Sequence, residues 1–362
     1  MVDIQTQLQQ TFPELVFQAN FPLAPLTTVK IGGPAELFCE ISSQKQFIRL
    51  ISYCKKQHIP LTLLGWGANT LIADAGIKGL VVKYNSTEIS IHDKESTQAP
   101  ISTLHSRWQK GDDENTYPTF DTVEYSEVNL PRVPVQIAAG VPLAYAIQHL
   151  LQHNITGLQW FSRIPATIGG AVYNNIHGGT HLLSEYVLAV DIIDQDGNQK
   201  TLSAIELEFE YDYSRFHHTD EVIVAVELSL FRGDAQKAQA AVVQWAKQKK
   251  DQPQNSLGCI FQNISKAEQQ RLGYPTPSVG YIIDNILHKK GFRIGDAVVS
   301  QKHAAFIENA GKATASDYLQ VIKTLVLEIK EKTGLTVQPE IFFKGFTQQE
   351  LQFLHSNQQK GE

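Results

Sequence analysis

The apolar residues of this sequence fall into strand-length runs separated by amphipathic stretches. Ile59 to Leu64 and Gly79 to Val82 are among the longest of these runs. Both are far shorter than the roughly 20 apolar residues that span a bilayer. Such a chain folds by laying helices on sheets, not by crossing a membrane. Its 362 residues are enough for about two or three domains, each with its own core.

The coarse pattern is mixed α/β. Gln44 to His58 places Phe47, Leu50, Ile51 and Cys54 at helical spacing, and Pro60 breaks it before a buried strand over Leu61–Leu64. A strand over Leu80–Tyr84 follows turn chemistry at Asp74-Ala75-Gly76 and Lys78-Gly79. Residues 85–130 are rich in Ser, Thr, Asp, Glu, His and Lys, and read as an insertion, partly strand and partly mobile. The α/β pattern then resumes. Strands are predicted over Val135–Ala138, Val187–Asp194 and Val222–Leu230, and helices over Leu143–His153 and Ala235–Lys249, with a hairpin turn at Asp196-Gly197. The last third gives a helix over Val279–His288, a strand over Ala304–Ile307, a long helix over Ala315–Lys332 stopped by Gly334, and a closing strand over Thr336–Phe343. The tail from Gln348 is polar and reads as dispensable.

Composition narrows the class. With 42% hydrophobic and 9% aromatic residues the chain is not a disordered or low-complexity one. A net charge of −6 without any long lysine–arginine run argues against nucleic-acid coating. No cationic start leads into an apolar segment, and three cysteines are too few and scattered for a disulfide framework. The expectation is a soluble, cytoplasmic monomer with no nucleic-acid or membrane partner.

Three glycine loops carry the chemistry. Gly65-Trp66-Gly67-Ala68-Asn69-Thr70 follows a strand, and its glycines let backbone amides approach a phosphate. It lacks the third glycine of the dinucleotide fingerprint, so alone it reads as an ordinary turn. Arg163 to Ala171, running on to His177-Gly178-Gly179, has two Gly-Gly pairs with Thr167 ahead. That is either an anion cradle or a tight packing corner. The third is Lys30-Ile31-Gly32-Gly33-Pro34.

Taken in order, these motifs resemble the flavin-binding half of the UDP-N-acetylenolpyruvoylglucosamine reductase (UDP-N-acetylmuramate dehydrogenase) family. The carriers are Thr28 to Ala35, Gly65 to Asn69 with Asp74 and Gly76, and Ile164 to Ala171. The last third is similar too, at Gly258 to Asn263, Gly280 to Asp284, Lys290-Gly291 with Gly295, Lys302 to Phe306, and Gln338-Pro339-Glu340. The resemblance covers most of the chain outside 85–130 and the tail, and it looks like the shorter branch, without an extra tyrosine-bearing insertion.

The resemblance implies a two-subdomain FAD-binding fold of the vanillyl-alcohol-oxidase type plus a C-terminal α/β substrate domain. Boundaries follow as 1–84 and 131–232 for the FAD-binding subdomains, 85–130 for the insertion, 233–346 for the substrate domain and 347–362 for the tail. It implies FAD as cofactor, NADPH as reductant and UDP-GlcNAc-enolpyruvate, a UDP-sugar, as substrate. FAD contacts are expected at Gly65, Trp66, Gly67, Ala68, Asn69 and Thr70, and at Pro165, Ala166, Thr167, Ile168, Gly169, Gly170 and Ala171. Substrate contacts are expected at Tyr211, Gln262, Asn263 and Lys290.

The family reaction reduces an enol-ether double bond, which requires a proton donor and stabilisation of negative charge beside a carboxylate. Cys259 stands where the family usually has serine. An ordinary thiol has a pKa of about 8.5, so it is protonated at neutral pH and more acidic than an alcohol. Without its motif, Cys259 reads as a small buried hydrophobe. Glu340 matches the catalytic carboxylate, helping to polarise the substrate's own carboxylate.

One departure is serious. In Tyr211-Asp212-Tyr213-Ser214-Arg215-Phe216, the tyrosine, serine and phenylalanine fall into register, but Asp212 occupies the place of the catalytic arginine. Arg215 is the expected substitute, with Arg163 as the other candidate. The spacings of His177 with His181, and of His217 and His218 with Asp220, read as loop or rim residues, since neither group has a clear third metal ligand. Two alternatives stay open: an FAD enzyme acting on another sugar or alcohol, and a flavin-binding homologue without turnover.

Overall fold

The computed structural model describes residues 4–92, 125, 127, 129–179 and 181–355. These fall into two compact units. The first is drawn from within Met1–Phe17, Cys39–Trp66 and Val82–Lys250, the second from within Gln18–Phe38, Gly67–Val81 and Asp251–Glu362.

The first unit is built on an antiparallel sheet. Its order is Gln199–Ser203, Val187–Ile193, Val222–Arg232, Arg132–Ala138 and Ile89–Ile91, with Ile155–Thr156 also paired to Val222–Arg232. Val222–Arg232 is buried at nine of its eleven positions. An antiparallel strand without alternation needs cover on both faces, and helices Gln44–Lys56 and Ile168–Tyr173 both pack against it. Gln44–Lys56 buries Phe47, Leu50, Ile51 and Cys54, as its periodicity predicts, and Ser43 caps it by accepting from the Gln46 amide. The Asp196-Gly197 turn joins Val187–Ile193 to Gln199–Ser203. Asp194 shapes it, its Oδ1 accepting from the Asp196 and Asn198 amides at 3.0 and 2.8 Å.

Helix Ala235–Gln248 packs on helix Leu143–Gln152 in this first unit. The sequence boundary at 233 therefore comes too early, because Ala238, Ala241 and Trp245 bury a stripe here. Residues 89–91 of the expected insertion are also part of this sheet, and most of 93–128 lies outside the described residues. Tyr125 and Glu127 are described. The Glu127 carboxylate is buried and accepts from Gln159 Nε2 at 3.0 Å and Trp160 Nε1 at 3.1 Å.

The second unit has a four-stranded antiparallel sheet in the order Ser256–Cys259, Phe306–Asn309, Ala297–Val299, Arg293–Ile294. Helix Ala315–Thr333 lies against it and buries eight residues, among them Tyr318, whose Oη donates to the Ile307 carbonyl at 2.9 Å. Thr314 and Asp317 form its capping box, and Gly334 ends it at φ +74°. Asp74 adds a second cap from far along the chain, its carboxylate accepting from the Ala315 and Ser316 amides at 2.8 and 3.0 Å. Phe342–Lys344 pairs in parallel with Thr70–Ile72.

Several local expectations shift. Leu61–Leu63 is a short strand with half-exposed side chains, not a buried one. Lys78 and Gly79 lie inside the strand Ile77–Tyr84, where Gly79 takes φ +78° and its amide donates to Glu36. The strand predicted from Ala304 begins at Phe306, because His303 first makes a turn, accepting from the Phe306 and Ala305 amides. The closing strand shrinks to Phe342–Lys344, since Pro339 has no amide to continue a ladder. The polar tail holds helix Gln348–His355, and Phe353 is buried in the second unit's core. Among the described residues no helix is long and apolar enough to cross a membrane.

Candidate active site

In the first unit the glycine loop is organised around Thr167. Its side chain caps the short helix Ile168–Tyr173 by accepting from the Gly170 amide at 3.2 Å. The Ile168 and Gly169 amides donate to the carbonyls of Val141 and Ala139 at 2.9 and 2.8 Å. These donors are spent on backbone, so the loop is less an amide cradle than a close-packed corner. A Cβ on Gly169 would lie 2.8 Å from that of Ala139.

Gly65 and Gly170 behave differently. A Cβ on either would face the Thr167 hydroxyl, at 3.2 and 3.3 Å, and Gly170 would meet nothing else within 4 Å. The two glycines thus leave the buried Thr167 without a side chain over its hydroxyl, and Trp66, next to Gly65 in sequence, is 46% exposed. That shape fits an extended, partly planar ligand such as FAD. Pro165 is exposed and Ala166 half-buried on the approach to Thr167, while Ala171 is buried behind it.

The same unit holds Asp212. It sits in a turn closed by reciprocal hydrogen bonds between Glu210 and Tyr213, at φ +50°. Its Oδ1 is 3.2 Å from His177 Nδ1, and the Tyr211 ring stacks on the same imidazole at 5.0 Å. Buried Asn175 secures the turn, with Nδ2 donating to the Glu210 carbonyl at 2.8 Å and Oδ1 accepting from the Ser184 amide at 2.9 Å. Ser214 Oγ donates to the Tyr173 carbonyl at 2.6 Å.

Arg215 points its guanidinium elsewhere. Nε and Nη2 reach the two carboxylate oxygens of Glu221 at 3.0 and 3.1 Å, and Nη1 donates to the Glu206 carbonyl at 3.0 Å. Arg163 is exposed at φ +67°.

In the second unit, Cys259 ends the strand Ser256–Cys259 at a β-bulge. Ser256 pairs with Glu308 and Cys259 with Phe306, so one extra residue is fitted in, and Gly258 takes φ +82° to allow it. The bulge re-aims Cys259, which is half-exposed and not the buried hydrophobe of the bland reading. One residue on, the Ile260 carbonyl accepts from the Glu340 amide at 2.8 Å. The Gln262 amide donates to the Gln338 carbonyl at 3.0 Å. The strand end carrying Cys259 and the segment carrying Glu340 are therefore bound side by side.

The rest of the Gly65–Thr70 loop belongs to this second unit. Gly67 takes φ +62°, and a Cβ there would lie 2.5 Å from the Leu26 carbonyl oxygen. Ala68 follows it, and Asn69 and Thr70 lead into the strand paired with Phe342–Lys344. Gly33 and Gly76 meet neighbouring backbone in the same way, at Asp74 and Pro34. Lys290 pairs with Asp284 at 2.6 Å, on a π-helical turn Ile282–Ile286. Burial, and then the Lys290 cation, push the His303 imidazole below its usual titration range. Gln262 and Asn263 are exposed. Among the described residues no three His, Cys, Asp or Glu side chains are grouped to hold a metal ion.

Comparison with known proteins decides the family. Residues 249–343 match the model for the UDP-N-acetylenolpyruvoylglucosamine reductase C-terminal domain, and residues 124–203 that for an FAD binding domain. The UDP-N-acetylenolpyruvoylglucosamine reductase of Chlamydia muridarum is 30% identical over 336 residues, covering 92% of this chain and 96% of the relative. The chain belongs to the UDP-N-acetylenolpyruvoylglucosamine reductase family. The enzyme of that name from Synechococcus sp. strain JA-3-3Ab is 29% identical over 332 residues, 91% of each chain. The crystal structure of the reductase from Thermus caldophilus superposes with a TM-score of 0.63 at 24% identity, covering 91% of this chain and 98% of that one. The fold is thus that of the reductase family, an FAD-binding domain with a C-terminal domain, and FAD is the cofactor the family fold carries.

Sequence reasoning missed His177 as the partner of Asp212. The two stand 35 positions apart, with no local pattern linking them. It also missed Asn175, whose only signal was its place in the Tyr173-Asn174-Asn175 run.

Proposed function

We propose that this reductase-family chain reduces the enolpyruvyl group of UDP-GlcNAc-enolpyruvate to UDP-N-acetylmuramate with NADPH, in the cytoplasm, as a step of peptidoglycan precursor synthesis. The observation that carries the reading is the backbone bond between Glu340 and Ile260, which ties a carboxylate-bearing segment to the bulged strand end of Cys259. Bound FAD supplies the hydride.

The chain's own residues do the rest. The surface of Gly65, Trp66 and the 165–171 loop holds the cofactor, with Thr167 at its centre. In the second unit, the Gly67–Thr70 segment braces the Glu340 segment through Asn69. Cys259 Sγ–H gives the proton to the carbon beside the substrate carboxylate, and its thiolate is reprotonated from solvent. Glu340 polarises the substrate carboxylate. Tyr211, Gln262, Asn263 and Lys290 contact the nucleotide sugar.

The test is substrate-dependent NADPH oxidation by the FAD-loaded protein, followed at the NADPH absorbance band. Turnover with UDP-GlcNAc-enolpyruvate supports the reading. Asp212 favours one competing reading, a flavoprotein that binds ligand without turnover, and flavin reduction by NADPH with no substrate-dependent reoxidation would establish that instead.

A further inference from the structure

We infer that His149 and His153, at the C-terminal end of helix Leu143–Gln152, form a binding site for one divalent transition-metal cation. The ligand belongs to the Cu2+, Ni2+ and Zn2+ class, held by two imidazoles with water filling its remaining positions.

The helix sends Leu143, Ala146, Ile147, Leu150 and Leu151 into the core of the first unit. Tyr145, His149 and His153 follow one another at intervals of four, so they share a different face. On that face Tyr145 is 41% exposed, His149 is half-buried and His153, the C-cap, is exposed. The three rings form a stack. Tyr145 and His149 have centres 5.9 Å apart, and His149 and His153 have centres 4.7 Å apart with 35° between planes.

A metal needs a bare imidazole nitrogen. His153 Nδ1 lies 2.8 Å from the His149 carbonyl oxygen. That oxygen can only accept, so the ring proton sits on Nδ1 and Nε2 keeps its lone pair. A backbone hydrogen bond of this kind is the support that metal-ligating histidines ordinarily have. Among the described residues neither ring nitrogen of His149 has a hydrogen-bond partner, so its ring can turn a lone pair toward the same point. Burial, and then His153, hold the His149 imidazole below its usual titration range, which keeps it in the ligating, unprotonated form. Two metal–nitrogen bonds of about 2.1 Å bridge nitrogens up to about 4.2 Å apart. Rings with centres 4.7 Å apart and tilted planes reach that span by a small turn.

The site stands apart from the cofactor loop. That loop holds the other end of the helix, where the Leu143 amide donates to the Ala166 carbonyl at 2.9 Å. A rise of ~1.5 Å per residue puts His153 roughly 15 Å along the axis from Leu143. Two imidazoles offer none of the oxygen ligands that Mg2+ and Ca2+ require. They bind Cu2+ more tightly than Ni2+ or Zn2+.

The test titrates metal salts into the FAD-loaded protein. Calorimetry with nickel chloride is expected to show a site that weakens about tenfold or more in His149→Gln and, separately, in His153→Gln. Magnesium chloride is expected to give no heat at that site. One equivalent of Cu2+ is expected to give an electron paramagnetic resonance spectrum split by two imidazole nitrogens, a pattern lost in either variant. Flavin absorbance and metal-free unfolding temperature are expected to match wild type in both variants, which shows that fold and cofactor are intact. Nickel affinity unchanged in either variant, or a Cu2+ spectrum that neither variant alters, overturns the inference and places the metal on other groups.

Discussion

Asn69 and Glu340, 271 positions apart, are joined by a hydrogen bond from the Asn69 side-chain amide to the Glu340 carbonyl at 3.1 Å. The Asn69 carbonyl in turn accepts from the Phe342 amide at 2.9 Å. A glycine loop expected to contact FAD therefore also clamps the Glu340 segment. Asn69→Ala is expected to cost about 1 kcal/mol of stability, the usual net worth of one such bond. It should also lower kcat more than it raises KM for NADPH. Urea unfolding and steady-state kinetics check both, and a variant kinetically identical to wild type would show that the clamp is irrelevant to Glu340.

Cys259 is expected to be the proton donor. Cys259→Ala should retain FAD binding and NADPH-driven flavin reduction while losing the second half-reaction, whereas Cys259→Ser should keep turnover. Stopped-flow spectra of the two half-reactions separate these outcomes. Loss of flavin reduction in Cys259→Ala would contradict the assignment. A half-exposed thiol is also open to oxidation, so peroxide should inactivate the wild type and spare Cys259→Ser.

Arg215 divides two roles cleanly. As a clamp between Glu221 and Glu206, its loss leaves a largely covered carboxylate without its cation, and Arg215→Ala should destabilise the fold by about 2 kcal/mol. Well below the melting temperature kcat should then stay near wild type. A catalytic arginine would instead cost about 3 kcal/mol of transition-state stabilisation. Thermal unfolding together with kcat at low temperature reads both quantities.

Asp194 gives the first unit an acid-sensitive corner. The Lys200 ammonium hydrogen-bonded to it at 2.7 Å, followed by the Asn198 amide, holds its carboxyl down at about 2, against a usual 3.8. A depressed carboxyl stabilises the fold above its unfolded pKa, and that contribution fades as pH falls through the folded one. Asp194→Asn should therefore be less stable than wild type at neutral pH. The gap should narrow below about pH 4 and close near pH 2, which urea midpoints across that range would follow.

Much of the fold was legible locally. Gln44–Lys56, Leu143–Gln152 and Ala315–Thr333 were readable because each buries a stripe at helical spacing, and the Asp196-Gly197 turn because its residues tolerate the required backbone. Helix Ile4–Thr11 and strands Gln18–Pro22 and Pro34–Ile41 were not singled out. Gln18–Pro22 is mostly exposed and shows no alternation of its own, since it is stabilised by pairing with a partner strand. The tail helix looked dispensable because its anchor is one residue, Phe353, whose burial depends on a core assembled elsewhere.

By itself the sequence determined that this is a mixed α/β chain with glycine motifs in a set order, a cysteine at position 259 and an aspartate at position 212. Those facts lie in residue identity and short-range period, where backbone sterics and hydrophobic spacing act within a few residues. Only the tertiary structure decided that Asp74 caps a helix 241 positions away, that Asn69 holds the Glu340 segment, that Arg215 is spent on Glu221 and that Asp212 meets His177. Each of these is a hydrogen bond between polar groups remote in sequence. Such bonds are short-ranged and directional, so they exist only after packing of the apolar core has brought the groups together.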